Sequence, residues 1–290
     1  MPVRERAKRL TLRVRRWKRL LRSLDLQISS DTELEPTGDR DFLVCGLPRS
    51  GTSLLAAALY QPPSCVTVME PWDGLRVPPA ELMRSLRGEI RGGMLRRGRL
   101  DVTTLLRTGK VRWGRDGGHP HAIEVASEFA LGVKWPTYWQ YLGLLSRTRF
   151  LVCVRDPLEV VSSFERTGGR LAQGLDYDVA FNRAMNDELL TRTDDPAIRR
   201  ALLYEHIAAR IGSHARDPNV FVVRYERWFT ERIALMAEIG DFLDVELGPG
   251  PAEIRRPRSL GGDPDTVALV REHCPSGRLL GYDGAHADRS

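Results

Sequence analysis

Residues 41–55 have the sequence DFLVCGLPRSGTSLL, and this stretch carries the clearest structural signal in the chain. The apolar run at 42–45 predicts a buried strand, the small residues after it predict a tight loop, and Thr52 begins a helical pattern that continues to Tyr60. A strand, loop and helix in this order direct backbone N–H groups at a phosphate. The stretch therefore predicts an α/β protein with an anion site at the end of a strand.

The loop almost fits the P-loop pattern GxxxxGK[ST], which would run from Gly46 to Ser53. Thr52 stands where nucleotide triphosphatases have the lysine that reaches the β- and γ-phosphates. A phosphate loop without that lysine is poorly suited to a magnesium-bound triphosphate. The pattern favours a single phosphate that carries another transferable group.

Near-continuous apolar runs alternate with helical patterns along the rest of the chain. The predicted strands are residues 42–45, 65–69, 131–133, 150–154 and 220–223. The predicted helices are residues 52–60, 137–147, 157–167, 179–191, 197–216 and 231–243. This alternation predicts an α/β fold with a P-loop-like parallel sheet and helices on both faces, in which ligands bind at the carboxyl ends of the strands.

The chain divides into three predicted regions. Residues 1–28 are expected to form a basic amphipathic helix, residues 29–40 a polar linker, and residues 41–290 the main domain. Within that domain, residues 77–130 are rich in Gly and Arg and only weakly periodic. We expect this region to consist of helices and loops that shape the entrance for a substrate.

The basic charge is concentrated at the N-terminus. Residues 1–24 contain ten Arg or Lys and one Glu, a net charge of +9 against +6 for the whole chain, so the remaining residues sum to about −3. Nucleic-acid binding by the main domain is therefore not expected. The apolar residues of this segment share one stripe of the predicted helix: Leu10, Val14, Trp17, Leu21 and Leu24. The stripe either docks on the main domain or a second subunit, or lies on an anionic membrane surface.

The cysteines and the apolar runs indicate the compartment. The spacing of Cys45, Cys65, Cys153 and Cys274 is not that of metal ligands, and two of them lie in predicted central strands. We interpret them as reduced core residues of a cytoplasmic protein. The sequence contains no apolar run near the roughly 18 residues of a membrane span, so any membrane association would be peripheral.

A second anion pocket is predicted where the strand at residues 150–154 ends. Arg155 ends this strand, Asp156 fits as the N-cap of the next helix, and Pro157 fits as its first residue. Ser163 lies about two helical turns further on. A surface salt bridge is the alternative explanation of an Arg-Asp-Pro sequence at a strand end.

These segments together resemble the sulfotransferases that use 3′-phosphoadenosine 5′-phosphosulfate (PAPS). The resemblance is carried by residues 48–53 (PRSGTS), by 154–157 (VRDP) with Ser163 eight positions beyond Arg155, and by 221–226 (FVVRYE). It extends from about residue 41 to residue 245. The PRSGT loop is closer to the tyrosylprotein, carbohydrate and bacterial branches than to the cytosolic phenol and steroid branch.

The resemblance implies PAPS as donor, no required metal, and a set of binding residues. The 5′-phosphosulfate would be held by the loop residues Arg49, Ser50, Gly51, Thr52 and Ser53. The 3′-phosphate would be held by Arg155 and Ser163, and Tyr225 would lie near the nucleotide. A core tyrosine at the end of a strand is the alternative for Tyr225.

Sulfuryl transfer needs charge stabilisation and a base that accepts the proton of the acceptor. The family places a catalytic lysine at the strand end that Lys134 occupies here, and Arg49 would add charge at the phosphosulfate. The cytosolic branch has a histidine two residues later, where this chain has Pro136. Glu70, which follows the strand at 65–69, is our candidate base, with His119 and His121 as rivals.

The aromatic residues that follow Lys134 suit either an acceptor site or core packing. They are Trp135, Tyr138, Trp139 and Tyr141. The sequence predicts a sulfotransferase acting on a hydroxyl or amine of a carbohydrate, glycolipid or other small molecule. A P-loop kinase of small molecules, with Asp156 as a magnesium ligand, and a non-catalytic nucleotide-binding or membrane-associated protein remain as alternatives.

Overall fold

The computed structural model describes residues 37–71, 73–95, 121–251, 254 and 263–282. The predicted basic helix at 1–28 lies outside these residues, as do most of the predicted linker, Trp72, His119 and a large part of the region at 77–130.

Apolar β-branched and aliphatic residues form the strands, as their patterns indicate. In chain order the strands are β1 (Asp41–Gly46), β2 (Cys65–Met69), β3 (Met94–Leu95), β4 (His121–Ala122), β5 (Ala130–Lys134), β6 (Arg149–Val154) and β7 (Val220–Arg224). A parallel sheet has the order β2-β5-β1-β6-β7, and β3 pairs with β4 in a separate antiparallel sheet. The predicted parallel sheet is confirmed.

Helices fill the intervals between the strands. They are α1 (Thr52–Ala58), α2 (Pro79–Arg91), α3 (Pro157–Thr167), α4 (Gly169–Ala172), α5 (Ala180–Arg192), α6 (Pro196–His214), α7 (Arg227–Thr230), α8 (Arg232–Leu243) and α9 (Pro264–His273). Two 3₁₀ helices, Pro136–Tyr141 and Pro275–Leu280, complete the described elements. Within the part of the chain that the structure describes, no helix has the length and apolarity that a membrane crossing requires.

The sheet separates two hydrophobic clusters, because successive side chains of a strand point to opposite faces. In β1, Leu43 and Cys45 join a cluster built with α2, α3 and α6, whereas Phe42 and Val44 join a cluster built with α1 and α8. Helices therefore cover both faces, as predicted. All four cysteines are buried and none forms a disulfide, which fits their interpretation as core residues.

One predicted helix is wrong. The pattern at residues 137–147 favours an α-helix, but the chain forms the short 3₁₀ helix and then turns at Gly143, whose φ is 78°. A Cβ at Gly143 would lie 2.4 Å from the His214 ring, so close packing against α6 and the left-handed backbone stop the helix here.

Candidate functional site

The loop after β1 turns sharply before α1 begins. Its backbone has φ of 70° at Arg49 and 93° at Gly51, both in the left-handed region. Among the described residues, no side chain caps the N-terminus of α1, which leaves its first amides without a side-chain acceptor. Left-handed residues in a loop that leads into an uncapped helix form a concave array of N–H groups of the kind that binds anions.

Ser50 closes this loop from the inside. It is buried, and its hydroxyl lies 2.5 Å from the carbonyl oxygen of Leu47 and 2.9 Å from that of Cys153. The hydroxyl has a single hydrogen to donate to these two acceptors. Its side chain thus holds the loop against β6 in this conformation, and its binding to the donor stays a prediction.

The loop and the predicted 3′-phosphate residues form one continuous site. The exposed Arg49 donates from Nε to Ser163 Oγ at 3.1 Å, and Arg155 Nη1 donates to the carbonyl oxygen of Arg49 at 3.3 Å. Arg155 Nη2 also pairs with Glu159 at 2.9 Å, one turn into α3. A phosphate bound here would meet two guanidinium groups but would share Arg155 with the Glu159 carboxylate.

Tyr225 connects both parts of the site. It follows β7, its amide donates to the carbonyl oxygen of Val154 at 2.9 Å, and the Arg155 guanidinium lies 4.6 Å from the centre of its ring. The ring also packs against Gly51. Burial raises the pKa of the Tyr225 hydroxyl, and the charge of Arg155 partly offsets this. Tyr225 thus packs against both the loop and Arg155.

Lys134 and Glu70 form a buried ion pair at the same edge of the sheet. Lys134 Nζ lies 2.5 Å from Glu70 Oε1, with side-chain exposures of 3% and 14%. The strands explain the pairing, because β2 and β5 lie side by side and the amide of Glu70 donates to the carbonyl oxygen of Lys134 at 2.9 Å. Lys134 is also in register with Val44 of β1, two residues before Gly46. The pair therefore lies beside the loop.

The remaining candidates have other roles or positions. Asp156, the magnesium ligand that a kinase would need, caps α3 by accepting from the amide of Leu158 at 2.9 Å. Tyr138, Trp139 and Tyr141 are buried, which supports core packing rather than an acceptor surface, whereas Trp135 is half-buried and donates from Nε1 to the Pro71 carbonyl oxygen at 3.3 Å. His121 lies in β4, outside the parallel sheet. No cluster of three metal-ligating side chains occurs among the described residues.

One further residue lies within electrostatic range of Glu70 and Arg49, namely Tyr177, which is 41% exposed. Partial desolvation raises the pKa of its hydroxyl, as do the charges of Asp176 and Glu70, whereas the charge of Arg49 lowers it. Glu70 and Arg49 thus both act electrostatically on this hydroxyl.

Buried amide side chains hold the Tyr177 loop. Asn182 Nδ2 donates to the Tyr177 carbonyl oxygen at 3.1 Å, and Asn186 Oδ1 accepts from the Asp176 amide at 2.9 Å. The sequence-based prediction missed Tyr177 because it stands in a loop without a motif. The only available signal was the pair of asparagines four residues apart on α5, a spacing that places them on one face of the helix.

Comparison with known proteins identifies the family of the chain. The model of the sulfotransferase family matches residues 41–249. No curated protein matched the chain.

Solved sulfotransferases are similar at low identity. One from Alicyclobacillus acidocaldarius is 17% identical, with a TM-score of 0.43 over 85% of this chain and 94% of its own. A sulfotransferase domain from the curacin biosynthetic pathway is 15% identical, with a TM-score of 0.44 over 88% and 90%. A mouse sulfotransferase in complex with PAP is 14% identical, with a TM-score of 0.40 over 87% and 67%.

Proposed function

Because the chain belongs to the sulfotransferase family, we propose that it moves a sulfuryl group from PAPS to a hydroxyl or amine of a carbohydrate, glycolipid or other small-molecule acceptor. The observation that carries the proposal is the buried Lys134–Glu70 pair beside the phosphate loop. This pair supplies a cation and a proton acceptor where the sulfuryl end of a bound anionic donor would lie.

The residues present fit a donor with phosphate at both ends of a nucleoside. At the loop, the left-handed backbone and the uncapped start of α1 offer N–H groups, and Arg49 adds a positive charge. Arg155 and Ser163 offer a guanidinium and a hydroxyl next to Arg49, and the Tyr225 ring packs against Arg155. Thr52 and Ser53 complete the set of loop residues that we expect to contact the 5′-phosphosulfate.

PAPS supplies the transferable sulfuryl group and a phosphate leaving group. Glu70 would accept the proton of the acceptor while the acceptor oxygen or nitrogen bonds to sulfur and the bond between sulfur and the bridging oxygen breaks, in line. Lys134 would stabilise the negative charge that develops on the bridging oxygen, and Arg49 would do the same at the sulfuryl oxygens. In the present conformation Lys134 and Glu70 neutralise each other, which makes it possible to bury both.

Ligand binding tests the proposal directly. Calorimetry with 3′-phosphoadenosine 5′-phosphate (PAP) is expected to show binding, and ATP with magnesium is expected to show none, because no lysine stands at position 52. A screen of saccharide, glycolipid, aryl and tyrosine acceptors with labelled PAPS would then identify the acceptor. Binding of ATP with magnesium in preference to PAP would favour a kinase and contradict the proposal.

A conservative variant tests the base. Glu70→Gln keeps an acceptor for Lys134 but cannot take a proton, so we expect kcat to fall by about 10²–10⁴ while PAP binding is retained. The exposed Glu188→Gln on α5 is the matched control and should leave both quantities unchanged. Lys134→Ala should also abolish transfer, with the melting temperature checked because it leaves Glu70 without its partner. Full activity of Glu70→Gln would show that Glu70 is not the base.

A further inference from the structure

A C-terminal segment packs behind the predicted 3′-phosphate site, although it lies beyond residue 249, where the family match ends. It consists of α9 and the 3₁₀ helix Pro275–Leu280 and reaches Tyr282. Glu205 of α6 anchors it, since its carboxylate accepts from the amide of Ser276 at 3.0 Å and from the hydroxyl of Ser276 at 2.5 Å. Gly277 packs near Pro157, the first residue of α3.

The end of this segment is bonded to the strand ends that form the site. The Tyr282 hydroxyl donates to Glu226 Oε2 at 2.7 Å, and Glu226 Oε1 accepts from the backbone amide of Asp156 at 3.1 Å. The Arg224 guanidinium covers the Tyr282 ring at 4.7 Å from its centre. One carboxylate therefore connects the C-terminal segment to the start of α3.

Asp156 determines where the neighbouring Arg155 can lie. Its side chain caps α3 through the amides of Leu158 and Glu159, and its backbone directly follows Arg155. The carbonyl oxygen of Arg155 also accepts from the Tyr204 hydroxyl at 3.4 Å. A carboxylate held at both oxygens has fewer orientations than one held at a single oxygen. The bond from Tyr282 therefore restricts the position of Glu226 and, through Glu226, the position of the backbone at Arg155 and Asp156.

We propose that Tyr282 is a positioning residue of the donor site, which acts through Glu226 on the backbone that carries Arg155. The proposal rests on the proposed function, because it assumes that Arg155 binds a phosphate of the donor. It assigns a role in donor binding to the C-terminal segment.

Removal of one hydroxyl tests this role. In Tyr282→Phe the ring stays under Arg224 but the bond to Glu226 is lost, so we expect the Kd of PAP, measured by calorimetry, to rise about fivefold. In the transfer assay the KM for PAPS should rise and kcat should stay unchanged. Tyr60→Phe is the matched control, since Tyr60 follows the end of α1 that is opposite to the loop and packs against the core; it should leave the Kd of PAP unchanged.

A double-mutant cycle separates positioning from general stability. In a Glu226→Ala background, Tyr282→Phe should have no further effect on the Kd of PAP, because the connection is already broken. A lower melting temperature of Tyr282→Phe with an unchanged Kd, or an equal change of Kd in both backgrounds, would overturn the proposal. Failure of the wild-type protein to bind PAP would instead contradict the proposed function, so the two failures are distinguishable.

Discussion

At the scale of single residues, Asp176 is a carboxyl that the fold buries completely. Oδ1 accepts from the Tyr177 amide at 2.7 Å, but Oδ2 has no hydrogen-bond partner among the described residues. Burial raises its pKa from 3.8 to about 7, although the Tyr177 amide and the charge of Arg170 oppose the change. The folded protein therefore holds a proton that the unfolded chain releases near pH 4.

The contribution of Asp176 to stability should fall as pH rises. Between about pH 4 and pH 7 the folded state binds more protons at this group than the unfolded state, so the free energy of unfolding decreases through that window and is level above it. Asp176→Asn should remove this decrease in the free energy of unfolding, which the size of the pKa shift puts at up to about 4 kcal/mol. Urea unfolding from pH 4.5 to 8 measures it, with the exposed Asp194→Asn as control. A difference between wild type and Asp176→Asn that does not vary with pH would contradict the prediction.

Tyr177 should affect the acceptor and not the donor. Tyr177 is exposed and within electrostatic range of Glu70, the proposed base, and the loop that carries it is held by buried asparagines. We expect Tyr177→Ala to raise the KM of an aryl or saccharide acceptor at least fivefold, because contact area next to the reacting group is lost. Tyr177→Phe separates the ring from the hydroxyl, and the Kd of PAP should not change in either variant. A weaker affinity for PAP with an unchanged acceptor KM would place Tyr177 on the donor side.

At the scale of elements, the turn from β1 into α1 depends on Gly51. Its φ is 93°, and an added Cβ would lie 2.4 Å from the Tyr225 ring. We expect Gly51→Ala to displace both the loop and Tyr225 and to weaken PAP binding more than tenfold, since left-handed backbone alone costs an L-residue about 1–2 kcal/mol.

Gly88→Ala is the matched control for this substitution. Gly88 lies within α2, and a Cβ there would meet no atom within 4 Å. The change should raise stability by roughly 0.5–1 kcal/mol and leave the Kd of PAP unchanged. Unchanged PAP binding by Gly51→Ala would show that the loop tolerates a different backbone.

The elements also explain how much the sequence could predict. Buried parallel strands are nearly continuous apolar runs, so the five strands of the parallel sheet, and with them the edge where Lys134 and Glu70 meet, were predictable. The prediction of a helix at 137–147 was wrong because the periodicity of the sequence carries no information about the tertiary contact between Gly143 and His214. Tyr177 and Tyr282 stand in segments without motifs, and only the folded chain brings Tyr177 within electrostatic range of Glu70 and Tyr282 into contact with Glu226.

At the scale of the whole molecule, the proposed donor site joins the two hydrophobic clusters. Leu55 of α1 belongs to one cluster and Phe164 of α3 belongs to the other, while Arg49 and Arg155 come from the loops that precede these helices. The basic segment at 1–28 holds 10 of the 44 Lys and Arg residues with only Glu5 and Asp25 against them, so its net charge of +8 exceeds the +6 of the whole chain. A liposome-binding assay that compares the full chain with a variant lacking residues 1–28 distinguishes the two roles. If the segment attaches to a membrane, only the full chain should bind liposomes; if it docks on the protein, neither form should bind them.

Since the site spans both clusters, PAP should stabilise the molecule as one unit. At a PAP concentration of 100 times Kd the expected stabilisation is about 2.7 kcal/mol, which corresponds to a rise in melting temperature of roughly 4–5 °C for a chain of this size. Calorimetric scanning and far-ultraviolet circular dichroism should report the same single transition, shifted by the same amount, and ATP with magnesium should leave it unmoved. Two transitions of which PAP raises only one would show that the clusters unfold separately and that the donor contacts just one of them.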